Sequence, residues 1–377
     1  MNMIDAMQGK TIYHDFSGTS VQSVIFNDYH DAQWIVKAID ILKCITRSEG
    51  DLFATVENKI DALGAKSFTV KPRNHLANSL VVLLHDQFAH TLTNLFPNYQ
   101  VNPYLQAFVQ NRQYFPLSMD VRTPRLPMTV AYDLSKCLNC LVTALRQDAQ
   151  RPDFKETVRN FERSANKNHR SLIGYINGLF TAYSKLLVIR LDLEYMADDA
   201  TGWSLGLKIP HDQVAADRDI FFRSLPGHLK QKLDKDVLVG FCWKLEYGPR
   251  TGWHYHTLVF LDGQKSCEDV TLGQLIGERW MAVTNNQGRY YNCNSRKIVY
   301  SRLDSLGIGL IDYRDRKTRK NLENTVAEYL TKVDACVKLK LPDGARSFGR
   351  GVTPKPGPKR GRPRSVSGPS GQLSSGM

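Results

Sequence analysis

The sequence lacks any uninterrupted apolar run of the ~20 residues that a helix needs to cross a bilayer. Its opening residues, Met1-Asn2-Met3-Ile4-Asp5-Ala6, lack the basic region followed by an apolar stretch that a secretory signal requires. These absences point to a cytoplasmic protein with no membrane partner. Cysteine is sparse: seven residues, an odd number, scattered over 377 positions, which excludes a disulfide framework. Cys137-Leu138-Asn139-Cys140 is a lone CxxC with no second Cys/His pair at zinc spacing. It lies in Leu134–Leu145, which reads as a helix, so both thiols are read as packing or incidental residues. Acidic residues fall short of basic ones, 37 against 50, giving a formal charge of +13 and a pI near 9.3. So basic a chain calls for a polyanionic partner, and nucleic acid is the commonest. What is present, 42% hydrophobic residues over a length sufficient for two domains and a tail, permits a proper core.

Three regions differ in pattern. Residues 1–165 read as mostly helical. Ile35–Lys43 carries apolar residues at helical spacing, and Asp133–Gln150 predicts a further helix. Leu76–Leu84 ends in a continuous apolar run that is buried, as helix or strand. No chemical constellation appears in this half. From about 170 to 350 the pattern alternates. Lys185–Leu193 predicts a buried strand, His211–Leu233 a helix interrupted at Pro226-Gly227, and Val237–Tyr247 a second strand. Gly248-Pro249-Arg250-Thr251-Gly252 is a turn, followed by a third strand over Trp253–Leu261. A helix over Leu272–Val283, a strand over Gly307–Tyr313 and a closing helix over Asn321–Val333 complete the order. This β-α-β-β-α-β-α sequence predicts an α+β fold, a ferredoxin-like split βαβ with an antiparallel sheet and an added helix. From Arg346 onward seven basic residues and no Asp or Glu occur among Pro, Gly and Ser, which predicts a disordered basic tail.

Chemistry concentrates in the middle region. His254-Tyr255-His256 opens an apolar strand, so the two imidazoles share one face while Tyr255 points into whatever packs behind the sheet. If the turn is centred on Arg250, Glu246 lies opposite His254 and joins the same face. A bulge in the turn would move Glu246 to the other face and leave the histidines in place. Two imidazoles and a carboxylate suit Mg²⁺, Mn²⁺ or a transition metal. Further on, Glu328-Tyr329-Leu330-Thr331-Lys332 places Tyr329 and Lys332 three residues apart on one helical face. Taken singly, an HxH supplied by chance on a half-exposed strand and a buried tyrosine beside a snorkelling lysine are the plainer readings.

Together these residues resemble the HUH superfamily of single-strand endonucleases. His254-Tyr255-His256 is similar to its metal motif, and Tyr329 to Lys332 to the YxxK of single-tyrosine replication initiators. Glu246, eight residues before the first histidine, stands where viral Rep proteins carry a carboxylate ligand. The strand Leu186–Leu193 takes the place of the first motif without an FTLT-like sequence. The region from about 180 to 350, closed by Ala345-Arg346-Ser347-Phe348-Gly349-Arg350, is also similar to the YagK/YfjJ-type domain of prophages and inovirus replication proteins. The resemblance implies a transesterification. Tyr329 would attack a phosphodiester of single-stranded or hairpin origin DNA, with a divalent metal on Glu246, His254 and His256 and with Lys332 stabilising charge. It also implies a 5′-phosphotyrosine link, a free 3′-OH for rolling-circle synthesis, and host replication proteins as partners in a bacterial cell. A non-catalytic DNA-binding regulator on the same fold, and a relaxase or transposase with the same chemistry, are the alternatives. In the tail, Lys359-Arg360-Gly361-Arg362-Pro363-Arg364 resembles an AT-hook. On that resemblance Arg360, Arg362 and Arg364, with Lys359, would enter the narrow minor groove of A·T-rich duplex, where negative potential concentrates; the alternative is a generic basic tail that binds any polyanion.

Overall fold

The structure is a computed structural model that describes residues 25–58, 60, 65–85, 99–114, 121–197, 204–248, 251–332, 334 and 337–354. The tail residues Lys359, Arg360, Arg362 and Arg364 lie outside the described residues. The fold is mixed α+β with antiparallel sheets.

The N-terminal part comprises α1 (Ile25–Arg47), β1 (Phe53–Glu57), β2 (Phe68–Pro72), α2 (His75–His85), β3 (Tyr99–Val101), α3 (Pro103–Arg112) and α4 (Met128–Gln150). It is therefore not helical throughout, because β1 and β2 pair as an antiparallel hairpin. The apolar run at Leu76–Leu84 is helical: Ala77, Leu80, Leu83 and Leu84 are buried at three- and four-residue spacing while Val82 is exposed. On α4, Ala131, Leu134, Leu138, Leu141, Val142 and Leu145 form one apolar stripe against Ile35, Ile39 and Leu42 of α1. Between the two cysteines of the CxxC, the Asn139 amide bonds the backbone of Leu52 and Phe53 at 3.0–3.1 Å, so this helix pins the hairpin. Cys137 is half-buried and Cys140 exposed.

Helix α5 (Pro152–Ala182) starts on a proline, which fits a first-turn position whose N–H has no helical partner. It buries Phe161 and Ala165 near its start and Leu172, Tyr175, Ile176, Leu179 and Phe180 over the sheet that follows. That sheet is built from β4 (Lys185–Tyr195), β5 (Leu238–Gly248) and β6 (Gly252–Asp262), with α6 (His211–Leu233) crossing between β4 and β5. After β6 come α7 (Asp269–Val283), β7 (Gly288–Asn292), α8 (Lys297–Arg302), β8 (Gly309–Asp312) and α9 (Arg316–Asn321). A π-helical turn (Leu322–Val326) leads into α10 (Ala327–Lys332), and β9 (Val337–Leu339) and β10 (Phe348–Arg350) follow. Strand β9 pairs with β3 and so returns the chain to the N-terminal part.

The main sheet runs β10-β5-β6-β4, and the far edge of β4 is shared: β7 pairs with Leu191–Tyr195 and β8 with Lys185–Val188. Every pairing is antiparallel, so β4 and β5 run parallel with β6 between them. Where β7 and β8 leave β4 uncovered, the Asn294 side chain replaces a strand. Its Oδ1 accepts from Arg190 N at 2.9 Å and its Nδ2 donates to Val188 O at 2.9 Å. The same Nδ2 donates to Asp269 Oδ2 at 2.8 Å, so no polar atom of this buried amide is wasted.

The strands alternate between two cores. One face presents Leu187, Ile189, Leu191, Leu193, Tyr255, Val259 and Leu261 to α6 and α7. Tyr255, 1% exposed, lies there as its place between the histidines predicts. The opposite face presents Leu186, Val188, Cys242, Leu258 and Phe260 to α5, the π turn and α10. Further along those same strands this second face turns polar, with Asp192, Lys244, Glu246, His254 and His256.

Several elements differ from expectation. Helix α6 is continuous through Pro226, because Phe221, Phe222, Leu225 and Leu229 bury around it. A proline inside a helix costs ~3 kcal/mol, and each buried apolar side chain returns ~1.5–3 kcal/mol. The closing helix is divided by its π turn, which keeps Leu322, Val326, Ala327 and Leu330 all against the sheet. The basic segment after Arg346 begins with an ordered strand, since Phe348–Arg350 pairs with Cys242–Lys244. Arg350 lies over the Tyr175 ring and donates to Ser171 Oγ at 2.9 Å. Strands β7, β9 and β10 carry too few apolar residues to announce themselves by periodicity.

Candidate metal centre

The β5–β6 hairpin places Glu246 directly opposite His254, and Lys244 opposite His256. No slip occurs near the turn; the irregularity in this pairing lies at the far end, between Leu238 and Gly240. Glu246, His254 and His256 thus converge, with one ligand atom from each within 4.8 Å of the others, forming the one such His/Cys/Asp/Glu group among the described residues. Glu246 Oε2 lies 3.4 Å from His256 Nε2 and 3.8 Å from His254 Nε2. Glu246 Oε1 is buried with no hydrogen-bond partner among the described residues.

The other nitrogen of each imidazole is engaged. His256 Nδ1 lies 2.7 Å from Asp192 Oδ1, and His254 Nδ1 lies 3.0 Å from the Gly252 carbonyl oxygen. Both acceptors favour a proton on Nδ1, which turns each Nε2 toward Glu246. Metal-binding histidines are held in this way, by a carboxylate or a carbonyl behind the ring. Gly252 can do this only as glycine: its φ is +64°, and a Cβ there would meet the backbone of Gly206 and Leu207. The donor set and the unpartnered carboxylate oxygen therefore fit a divalent cation.

Electrostatics agree with the geometry. Burial works against charge on His256, but Asp192 and Glu246 outweigh it and push the imidazole up to about 10. Burial likewise opposes charge on Glu246, yet His256, then Lys244 and His254, hold its carboxyl down to about 2. Asp192 is buried too, and His256 and Arg190 keep it well below the usual carboxylate range. Without a metal, His256 thus carries a proton between two carboxylates, where a cation would otherwise balance them.

Tyr329 and Lys332 both lie on α10, the helix over the face that carries the histidines. Their side chains are outside the described ones. Their neighbours fix the helix. Leu330 and Ala327 are fully buried, Thr331 Oγ1 lies 3.0 Å from His169 Nδ1 of α5, and Asp334 just beyond pairs with Lys244 at 2.6 Å. Two contributors escaped sequence reasoning. Asp192 carried a usable signal, as a carboxylate at an alternate position of an otherwise aliphatic strand. Gly252 reads in the sequence only as a turn residue.

These features define an α+β protein with a His-His-Glu cluster at the polar end of an antiparallel sheet. The profile of the YagK/YfjJ C-terminal domain, a prophage-associated family, matches residues 153–351, more than half of the chain, and the protein belongs to this family. The match begins with α5 rather than with the first strand of the sheet. No curated protein matches the chain, and no solved structure does. Among the described residues, no helix is long and apolar enough to cross a membrane.

Proposed function

We propose that this protein is a replication initiator of the HUH kind, which nicks single-stranded DNA through Tyr329. The observation that carries this reading is the convergence of Glu246, His254 and His256 on the sheet face covered by the helix of Tyr329 and Lys332. The strand order β5-β6-β4-β8, with α6 crossing between parallel β4 and β5, supports a ferredoxin-like split βαβ.

Glu246, His254 and His256 would hold Mg²⁺ or Mn²⁺, which when bound supplies Lewis acidity at the scissile phosphate. Asp192 and the Gly252 carbonyl orient the two imidazoles. The Tyr329 oxygen forms a bond to phosphorus, the P–O3′ bond breaks, and the hydroxyl proton passes to the released 3′ oxygen through solvent. Lys332, one helical turn from Tyr329, would stabilise the developing negative charge. The product is a 5′-phosphotyrosine link and a 3′-OH that can prime synthesis, with the phosphodiester energy kept for rejoining. The tail, through Lys359, Arg360, Arg362 and Arg364, would add contacts to A·T-rich duplex near the origin.

A randomised single-stranded library labelled at its 3′ end provides the test, because the nicking sequence need not be known beforehand. With Mn²⁺ the full chain should acquire the label covalently. Tyr329→Phe and His254→Ala should lose that adduct while Tyr329→Phe still binds the library. An adduct that survives Tyr329→Phe removes the nucleophile. Binding with no adduct in the parent chain favours a non-catalytic regulator instead.

A further inference from the structure

We propose that Asp334 sequesters the Lys244 ammonium away from Glu246, and thereby sets the affinity of the Glu246–His254–His256 cluster for a divalent cation. This rests on the metal reading above. Lys244 is 1% exposed and stands two residues before Glu246 on the same strand face, about 7 Å along the strand. It is also the register partner of His256. A lysine so placed has two carboxylates to choose from. Its Nζ lies 2.6 Å from Asp334 Oδ1, and Asp334, itself 3% exposed, is held on its other oxygen by Ser347 Oγ at 3.5 Å.

A buried ammonium deprived of its anion must find another, lose its proton or leave the interior, and a carboxylate close by makes the first the favoured course. Glu246 is the neighbouring carboxylate, and its Oε1 has no partner among the described residues. Lys244 already acts on it at a distance, as one of the charges that keep Glu246 ionised. If Asp334 is removed, the ammonium and the metal compete for one carboxylate. Asp334 also follows directly on the helix of Tyr329, so this ion pair ties that helix to the strand of Glu246.

Titration of the full chain with Mn²⁺ alone, followed by calorimetry at pH 8, tests this. Asp334→Asn should weaken Mn²⁺ binding at least about tenfold, within the range seen when metal-site supporting groups are lost. Lys244→Met should bind Mn²⁺ no more weakly than the parent. Lys244→Met/Asp334→Asn should recover binding to within about threefold of the parent, which a general packing defect would not allow. Parent-like binding by Asp334→Asn, a tenfold loss in Lys244→Met, or a double variant as weak as Asp334→Asn each overturns the proposal while the metal site stands. Should Asp334→Asn fail to fold, Lys244→Met still decides between competition and support. A parent chain that does not bind Mn²⁺ removes both the metal reading and this one.

Discussion

Mn²⁺ binding should depend on pH through His256. In the metal-free chain His256 holds a proton up to about pH 10, and that proton must leave for Nε2 to act as a ligand. Affinity therefore rises as pH rises. Glu246, already ionised above about 2, adds nothing to the slope near neutrality. Between pH 7 and 8.5 the expected gain is about tenfold per unit, ~30-fold in total, at ~1.4 kcal/mol per unit. At pH 7.5 the solution is still well below that pKa, so displacing the proton costs the metal a few kcal/mol of affinity, on the order of 3. Calorimetry in buffers of different ionisation enthalpy should show about one proton released per Mn²⁺ bound.

The Asp192→Asn variant separates the two roles of Asp192. Asparagine no longer favours the proton on His256, so burial then lowers that pKa and the pH dependence between 7 and 8.5 flattens. The same change loosens the ring, so the plateau affinity at high pH should fall about 10- to 100-fold. Affinity independent of pH in the parent chain, or no proton release, would refute the claim that His256 is both protonated at rest and a ligand when metal binds.

Three further outcomes follow from the same geometry. Gly252→Ala should destabilise the chain by more than ~1 kcal/mol in a urea titration and weaken Mn²⁺ binding, since it strains a φ of +64° and displaces the carbonyl behind His254. Asn294→Leu leaves the backbone of Val188 and Arg190 unpaired at the split edge of the sheet, and should cost ~1–3 kcal/mol per stranded group. In EDTA, the charged His256 contributes stability that is fully present below its unfolded pKa near 6.5 and lost as pH rises toward about 10. The melting temperature of the metal-free chain should accordingly fall between pH 6.5 and 9.5, and His256→Gln should remove that part of the fall.

The legible part of the site was local. The separation of Glu246 from His254 around a turn centre, and the alternation that sends Tyr255 backward, follow from strand geometry over eleven residues, and the structure keeps that register. The closing helix was readable because Leu322, Val326 and Leu330 recur every four residues, although its π turn was not, since an extra residue per turn leaves no mark in composition. The pairings of Asp192 with His256 and of Lys244 with Asp334 were illegible for a different reason. Asp192 meets His256 across 64 residues, and Lys244 meets Asp334 across 90, so no sequence window holds either pair. The N-terminal hairpin was missed because its strands, Phe53–Glu57 and Phe68–Pro72, are half exposed and lack a clean alternation.

The charges on this face also explain why Glu246, rather than a nearby carboxylate, is the one offered to a cation. Glu246 shares the polar end of the sheet with Asp192, Glu194 and Asp334, and Glu194 is engaged by Arg289 at 2.8 Å. Asp192 is engaged by His256 at 2.7 Å and Arg190 at 3.7 Å, with the Cys293 thiol 3.7 Å from its other oxygen. Asp334 is engaged by Lys244 and Ser347. Glu246 has only the two imidazoles, at 3.4 and 3.8 Å on one oxygen, and no partner for the other among the described residues. A buried carboxylate in that condition is costly unless a positive charge faces it. The His256 proton answers that need when metal is absent, and a divalent cation answers it better because it serves the carboxylate and both Nε2 atoms together. Pairing the other carboxylates is thus what leaves Glu246 open to a cation, and any substitution that frees Lys244 or Arg190 should be felt first as a change in cation affinity rather than as a loss of fold.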